Sequence, residues 1–135
     1  MTVGVAITTN VDIKIFYNLI KAESSFRSLA YSSQKAIGLG QMQVNTFNYV
    51  FPKQPGILIW FPPSNLFASA KYLKYLNKKF KGNWTLTLAA YNWGETNVLK
   101  RIRKMNIVSE ADYRYKFKDI PETYAFLINI LGDKK

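Results

Sequence analysis

Apolar residues recur every three or four positions along most of the chain, which is the spacing of an amphipathic helix. The first helix is predicted around residues 13–20, with candidate N-caps at residues 8–10 and Asp12 in its first turn. Ser64 or Asn65 is predicted to cap a longer helix that runs to about Phe80, and Gly82 ends it. Both segments place their apolar residues on one side, which indicates packing against a core.

Shorter helical segments follow in the second half of the chain. Thr85 is a candidate cap of a short helix that runs through Tyr91, and two more helices are predicted at residues 95–105 and 121–132. Residues 109–112 have the spacing of a capping box. Pro121 is a favoured first-turn residue, and Gly132 is a typical helix stop.

Two stretches break the helical pattern. Residues 29–46 mix serine, glycine and glutamine, which predicts a structured loop or short hairpin, and prolines make residues 47–63 irregular with at most a short helix. There is no internal repeat and no interdomain linker, so one domain is expected over residues 1–135. The predicted fold class is all-α, or α with a very small β element near the glycines.

The composition of the 135 residues excludes several kinds of chemistry. The chain has no cysteine and no histidine, which removes disulfides, thiol nucleophiles, serine–histidine triads and most transition-metal sites. We therefore expect no cofactor and no metal. The first residues lack the pattern of a signal peptide, and no apolar run approaches the ~18–20 residues of a membrane helix.

The charge is strongly basic, because 19 Lys and Arg stand against 8 Asp and Glu, for a net charge of +11. Such a charge favours an anionic partner: nucleic acid, a membrane surface or an acidic wall polymer. Four lysines of the long predicted helix lie within about 80° of one another, opposite its apolar side. They are Lys71, Lys74, Lys78 and Lys81. A basic nucleic-acid-binding helical module is one interpretation of this pattern.

The position of Glu23 suggests catalysis. Residues 1–94 contain only two carboxylates, Asp12 and Glu23. On a helical wheel with 100° per residue, Glu23 lies within the apolar arc of the first predicted helix, although the opposite side was available. A carboxyl against apolar groups has a raised pKa and can serve as a general acid. The alternative is that the helix end frays and Glu23 reaches water.

Four blocks of residues then occur in a fixed order. They are residues 23–26 with Ala30, Ser32, Ala36 and residues 38–42; residues 65–66 with 72–73; residues 88–94; and residues 121–123. Together they resemble the signatures of the lytic transglycosylases, lysozyme-like enzymes that cut peptidoglycan. Four positions depart from that pattern: Lys35 replaces a usual glycine, Gly40 a frequent methionine, Phe61 a frequent aspartate and Phe126 a usual tyrosine.

The resemblance implies a mechanism with one carboxylate. Glu23 would protonate the glycosidic oxygen and then take the proton of the substrate's own 6-hydroxyl, which closes a 1,6-anhydro ring. Hydrolysis by water, as in lysozymes, remains an alternative outcome.

The resemblance also implies the residues that bind the sugars. They are Ser32, Gly38, Leu39, Gln41, Tyr91 and Asn92, with Glu122 as a supporting residue behind them. Each side chain has a purely structural alternative. Ser32 could satisfy loop backbone, Gln41 could be exposed, Tyr91 could be core, Asn92 could cap a helix, and Glu122 could face a helix dipole.

The expected partner is therefore the glycan strand of peptidoglycan, with no nucleic acid, and the protein is expected to be a monomer. A single basic catalytic domain without a signal peptide resembles a phage endolysin. We expect such a protein to be made in the host cytoplasm and to reach periplasmic peptidoglycan through a holin.

Overall fold

A computed structural model describes residues 1–105 and 114–132. The helices are α1 (Thr2–Thr9), α2 (Ile13–Ser24), α3 (Val44–Val50), α4 (Pro62–Lys79), α5 (Trp84–Trp93), α6 (Glu95–Met105) and α7 (Pro121–Leu131), with 3₁₀ helices at Gly56–Trp60 and Arg114–Phe117. Within these described ranges the β structure consists of two isolated antiparallel bridges, which join Tyr31 to Ile37 and Ile37 to Met42. The all-α prediction with a very small β element is confirmed. The capping box predicted at residues 109–112 lies outside the described residues.

The chain divides into two compact units, Met1–Tyr72 and Leu73–Lys135. In the first unit α1 packs against α2, and in the second α5 packs against both α6 and α7. Each unit has an apolar interior, with Phe16, Leu19 and Ile20 buried in the first and Leu88 and Leu127 in the second. The single domain predicted over residues 1–135 stays a prediction. No helix in the described part of the chain is long and apolar enough to cross a membrane.

The start of α2 differs from the prediction. Asp12 itself is the N-cap, and its carboxylate accepts a hydrogen bond of 2.9 Å from the Ile15 amide. The residues predicted as caps lie at the end of α1 instead, where Thr9 is the last helical residue and Asn10 is the C-cap with a φ of 58°. This helix buries Val5 and Ala6. Asp12 is therefore a helix-capping charge, as its place before the apolar run suggested.

The long helix α4 begins at Pro62, two or three residues before the predicted caps. Proline is well suited to this position because the first turn of a helix needs no amide donor there. Asn65 is consequently inside the helix, where it is 1% exposed, and does not cap it. The predicted lysine stripe of residues 71, 74, 78 and 81 is exposed, as expected.

Helix α5 also begins earlier than predicted. Its N-cap is Asn83 rather than Thr85, because the Asn83 side chain accepts a hydrogen bond of 3.1 Å from the Leu86 amide. The bounds of α6 and α7 agree with the prediction, and Gly132 follows α7 with a φ of 89°. The proline-rich stretch holds the 3₁₀ helix Gly56–Trp60, while α3 starts inside the region predicted as loop.

Candidate active site

Glu23 lies in the last turn of α2, on the side that faces the interior. The fully buried residues of this helix are Phe16, Leu19, Ile20 and Ser24. On the helical wheel these four span the arc from about 240° to 20°, and Glu23 falls within it at about 280°. Glu23 is only partly exposed. The predicted placement of this carboxylate is thus confirmed, while the raised pKa stays a prediction.

The chain reverses direction directly after Glu23. Ser25 and Phe26 both adopt left-handed backbone conformations, with φ values of 52° and 62°. The turn is held by Arg27, whose amide and Nε both donate to the carbonyl of Ser24, at 3.1 and 3.0 Å. Because two successive left-handed residues are uncommon outside glycine, this turn is closely specified. It leads the chain from Glu23 into the loop that carries most of the predicted binding residues.

We call residues 30–42 the glycine loop. It is closed by short-range backbone hydrogen bonds, including 2.8 Å from the Gly38 amide to the Ala30 carbonyl and reciprocal 2.9 Å bonds between Ile37 and Met42. Lys35, which replaces a glycine of the related signature, has a φ of 65°. That conformation is the reason for a glycine at this position, since a side chain costs energy there.

Ser32 is bound to the backbone of this loop. Its hydroxyl oxygen accepts hydrogen bonds from the amides of Gln34 at 3.2 Å and Ala36 at 3.0 Å. The structural alternative for Ser32 is therefore realised in the protein. Both lone pairs of the hydroxyl are used, which leaves its proton as the group that could still bind a ligand.

Gln41 shows the opposite polarity. Its side-chain nitrogen donates to the carbonyls of Gly38 at 3.0 Å and Ala30 at 3.3 Å. Its backbone has a φ of 51°, and the residue is partly exposed. Because the amide hydrogens are engaged in the loop, the side-chain oxygen is the atom that could accept a hydrogen bond from a sugar.

Gly38 and Leu39 are both buried, with Leu39 only 4% exposed. The Leu39 side chain therefore packs inside its unit. Gly38 has a φ of 76°, and a Cβ added to it would lie 2.6 Å from the side-chain nitrogen of Asn65. The glycine thus permits close approach of α4 to the loop, and the backbone of these two residues is the part that a substrate could meet.

Asn65 is a residue that the sequence interpretation missed as part of this site. Its side-chain oxygen accepts a hydrogen bond of 2.8 Å from the Gly40 amide. Its side-chain nitrogen donates hydrogen bonds of 2.9 Å to the Ile37 carbonyl and 2.8 Å to the Ile59 carbonyl. All three bonds are buried. Asn65 consequently fastens the glycine loop and the 3₁₀ helix Gly56–Trp60 to the first turn of α4.

The Ile59 carbonyl depends on Asn65 because it lacks the usual local donors. The residues three and four positions later are Pro62 and Pro63, which have no amide hydrogen. This is the signal by which sequence reasoning could have found Asn65, since the two prolines leave a carbonyl that a nearby side chain must satisfy.

The second unit carries the other predicted binding residues. Asn92 lies one residue before the end of α5, so it does not cap the helix, which Gly94 follows with a φ of 104°. Its side-chain oxygen accepts a 2.7 Å hydrogen bond from the hydroxyl of Thr123, which is 1% exposed. Thr123 was not predicted, although it closes the last signature block. Because the side-chain oxygen is engaged in this bond, the side-chain nitrogen is the atom of Asn92 that could donate to a ligand.

Tyr91 stacks against Phe126, with ring centroids 6.5 Å apart and planes 10° apart. Phe126 is 5% exposed, so the aromatic ring at this departure from the related pattern supports Tyr91 by packing. Glu122 is exposed in the first turn of α7, where the helix dipole favours a carboxylate. Its predicted role behind the sugar-binding residues stays a prediction.

A pocket of about 210 Å³ lies elsewhere in the first unit, between α3, the 3₁₀ helix Gly56–Trp60 and α4. Phe47, Phe51 and Phe67 are among its lining residues, and none of the predicted site residues is. Within residues 1–105 and 114–132, no cluster of three aspartates or glutamates is arranged to hold a metal ion.

Comparisons with known proteins found a matching family and related sequences and folds. The model of the family Transglycosylase SLT domain matches residues 5–113. A protein of Alteromonas sp. (strain M-1) named for tributyltin chloride resistance is 35% identical over 95 residues, which are 67% of this chain and 44% of that protein.

Two solved structures share the fold. An inactive mutant of the lytic transglycosylase Slt from Pseudomonas aeruginosa matches 97% of this chain and 22% of its own, with a TM-score of 0.82 and 23% identity. The 70 kDa soluble lytic transglycosylase from Escherichia coli matches 90% of this chain over 21% of its own length, with a TM-score of 0.75 and 21% identity. This chain thus spans less than half of its curated relative and about a fifth of these structures. Because the family model covers most of the chain, the protein belongs to the Transglycosylase SLT domain family.

Proposed function

We propose that this chain is a peptidoglycan lytic transglycosylase. It cleaves the β-1,4 bond between N-acetylmuramic acid and N-acetylglucosamine and leaves a 1,6-anhydromuramic end, with Glu23 as both acid and base. The observation that carries the proposal is the position of Glu23, partly buried on the apolar side of α2 and directly before the glycine loop. Family membership and the fold of the two lytic transglycosylases support it.

The reaction needs one carboxyl group in two protonation states. In the first step the Glu23 carboxyl gives its proton to the glycosidic oxygen, the bond from that oxygen to C1 breaks, and the N-acetyl carbonyl of the muramic sugar stabilises C1. In the second step the Glu23 carboxylate takes the proton of the 6-hydroxyl, whose oxygen bonds to C1. The ring closes, and Glu23 regains its proton without water entering the balance.

The scarcity of acids in the first unit agrees with a single carboxylate. Asp12 is the other carboxylate of residues 1–94, and its oxygen is engaged at the N-terminus of α2. Its Cα lies about 16 Å along the helix axis from that of Glu23, at 1.5 Å per residue. This exceeds the separation of about 5–9.5 Å between paired glycosidase carboxyls.

The test is digestion of purified peptidoglycan by the wild-type protein and by Glu23→Gln, with mass analysis of the fragments. We expect wild type to release anhydromuramic ends, and the variant to be slower by at least about 10²-fold because it has no proton to transfer. The Pseudomonas aeruginosa relative was likewise solved as an inactive mutant in which a glutamate is replaced by glutamine. Reducing ends from wild type would show hydrolysis instead, and full activity of the variant would exclude Glu23 as the catalyst.

Asp12→Asn is the matched control. It removes the other carboxylate charge of residues 1–94, yet asparagine caps helices about as well as aspartate, so α2 keeps its N-terminus. We expect this variant to retain wild-type activity. Equal loss in both variants would indicate a general effect of charge or stability rather than catalysis by Glu23.

We further propose that the protein acts as a monomeric phage endolysin that reaches periplasmic peptidoglycan through a holin. Its net charge of +11 supports binding to an anionic envelope. The test is co-expression with a holin in a Gram-negative host, where lysis should require the holin and an intact Glu23. If the protein digests isolated peptidoglycan but does not lyse the host cells when the holin is present, this role is contradicted.

A further inference from the structure

Two exposed aromatic residues of the first unit form a pair that the proposed mechanism does not use. The rings of Tyr31 and Trp60 are stacked, with centroids 6.0 Å apart and planes inclined by 21°. Tyr31 is 58% exposed and Trp60 is 36% exposed. Side chains this large are normally placed where their apolar surface is covered, so a stacked pair left at the surface calls for an explanation.

The pair is built on buried hydrogen bonds. Tyr31 belongs to the glycine loop, where it forms an antiparallel bridge with Ile37, and Trp60 ends the 3₁₀ helix directly after Ile59. The side-chain nitrogen of Asn65 donates to the carbonyls of both Ile37 and Ile59. One buried amide group therefore fixes the backbone beneath each ring, which makes the stacked pair a preorganised surface rather than two loose side chains.

The chemistry of this surface fits a sugar ring. An aromatic face is electron-rich, and one side of a pyranose presents several C–H groups that can lie against it. Tyr31 is also directly followed by Ser32, whose hydroxyl oxygen is saturated by two amides and whose proton can donate to a sugar oxygen. A sugar has both an apolar C–H face and polar hydroxyl groups, and the aromatic pair supplies the contact for the first of these.

We propose that Tyr31 and Trp60 form a glycan-binding platform that holds one pyranose ring of the strand, away from the bond that is cleaved. The proposal rests on the function proposed above and adds a specificity-determining site to it. The platform lengthens the stretch of strand that the protein recognises, so its effect is on substrate binding and grows with glycan length. It has no part in the proton transfers of Glu23.

The test compares Trp60→Ala and Tyr31→Ala with Ile7→Ala. Ile7 is 63% exposed in α1, outside the glycine loop and the 3₁₀ helix that carry the pair, so its replacement removes exposed apolar surface elsewhere in the same unit. With uncrosslinked glycan strands as substrate, KM should rise about three- to tenfold in each platform variant and stay unchanged in the control, with kcat near wild type throughout. Tyr31→Phe should retain the wild-type KM because it keeps the ring.

A binding measurement separates this proposal from the catalytic one. In a Glu23→Gln background, titration with the same strands should quench tryptophan fluorescence, and Tyr31→Ala should weaken the affinity by the same factor. A wild-type protein that releases no sugar product would refute the proposed function. An active wild type whose KM and affinity are unchanged in both platform variants would refute the platform, and so would an equal loss in Ile7→Ala. Because Tyr31 is the more exposed of the two, Tyr31→Ala alone decides between these outcomes if Trp60→Ala fails to fold.

Discussion

Asn65→Ala removes the side chain that fastens the glycine loop to α4. Three backbone groups lose a partner, namely the Gly40 amide and the carbonyls of Ile37 and Ile59. The Ile37 carbonyl still accepts from the Met42 amide at 2.9 Å, so it is not left unsatisfied. The buried Ile59 carbonyl is the group left without a donor, because Pro62 and Pro63 have no amide hydrogen. At about 1–3 kcal/mol for this carbonyl and about 0.5–1.5 kcal/mol for the hydrogen bond lost at each of the other two groups, the free energy of unfolding should fall by about 2–6 kcal/mol.

Gly38→Ala should be costly for a related reason. The added Cβ would lie 2.6 Å from the Asn65 side-chain nitrogen, and the backbone φ of 76° disfavours any side chain. In an Asn65→Ala background the steric part of this cost disappears, because the colliding atoms are gone, while the backbone part remains. The two changes should therefore be coupled, and the double variant should be more stable than the sum of the single losses predicts.

The assay is urea unfolding followed by far-UV circular dichroism for wild type, both single variants and the double variant. We expect a coupling free energy of at least about 1 kcal/mol, such that the double variant is more stable than the sum of the two single losses predicts. Additivity within about 0.5 kcal/mol would refute the contact between Gly38 and Asn65 as the reason for a glycine. A loss below about 1 kcal/mol in Asn65→Ala would show that its hydrogen bonds are not what holds the loop.

Two further predictions concern other parts of the fold. Lys35→Gly should raise the free energy of unfolding by about 0.5–1 kcal/mol, because glycine adopts a φ of 65° without strain and this gain exceeds the added entropy of the unfolded chain. Lys35→Ala keeps the strain, so it should show no gain when both variants are compared by thermal unfolding. Arg101 donates 2.6 Å hydrogen bonds to both carboxylate oxygens of Asp119, and this lowers the pKa of that carboxyl. The pair therefore stabilises the fold above pH ~4, and its contribution is lost as the pH falls through the lowered pKa. Asp119→Asn should flatten the acid side of the stability profile measured by urea unfolding from pH 6 to 3, and an unchanged slope would contradict this assignment.

The sequence predicted well the features that depend on regular spacing. The all-α class, the bounds of α6 and α7, and the place of Glu23 on the buried side of α2 all follow from helical periodicity, which a single sequence records directly. The helix starts were less accurate because several polar residues competed for each cap. Asp12 and Asn83 are the caps because their side chains reach the free amides of the first helical turn. Which residue can do so depends on where the preceding segment ends.

The long-range contacts could not be predicted in this way. Asn65 joins residues 25 and 28 positions away, and Thr123 bonds Asn92 from 31 positions away. Periodicity carries no information on such pairs. Asn65 was taken for a cap because asparagine near the start of a helix usually is one, and only the folded loop shows which buried groups it satisfies.

Three polar residues of the predicted site share a property that the sequence did not reveal. Each spends one part of its hydrogen-bonding capacity on the protein, so the part that remains has a fixed polarity. Ser32 keeps a proton to donate, Gln41 keeps an oxygen to accept, and Asn92 keeps amide hydrogens to donate. A structural role and a binding role are therefore not exclusive for these residues, because the first determines what the second can be. Replacing Gln41 by glutamate, for example, would keep an acceptor for the sugar but lose the donors that close the loop.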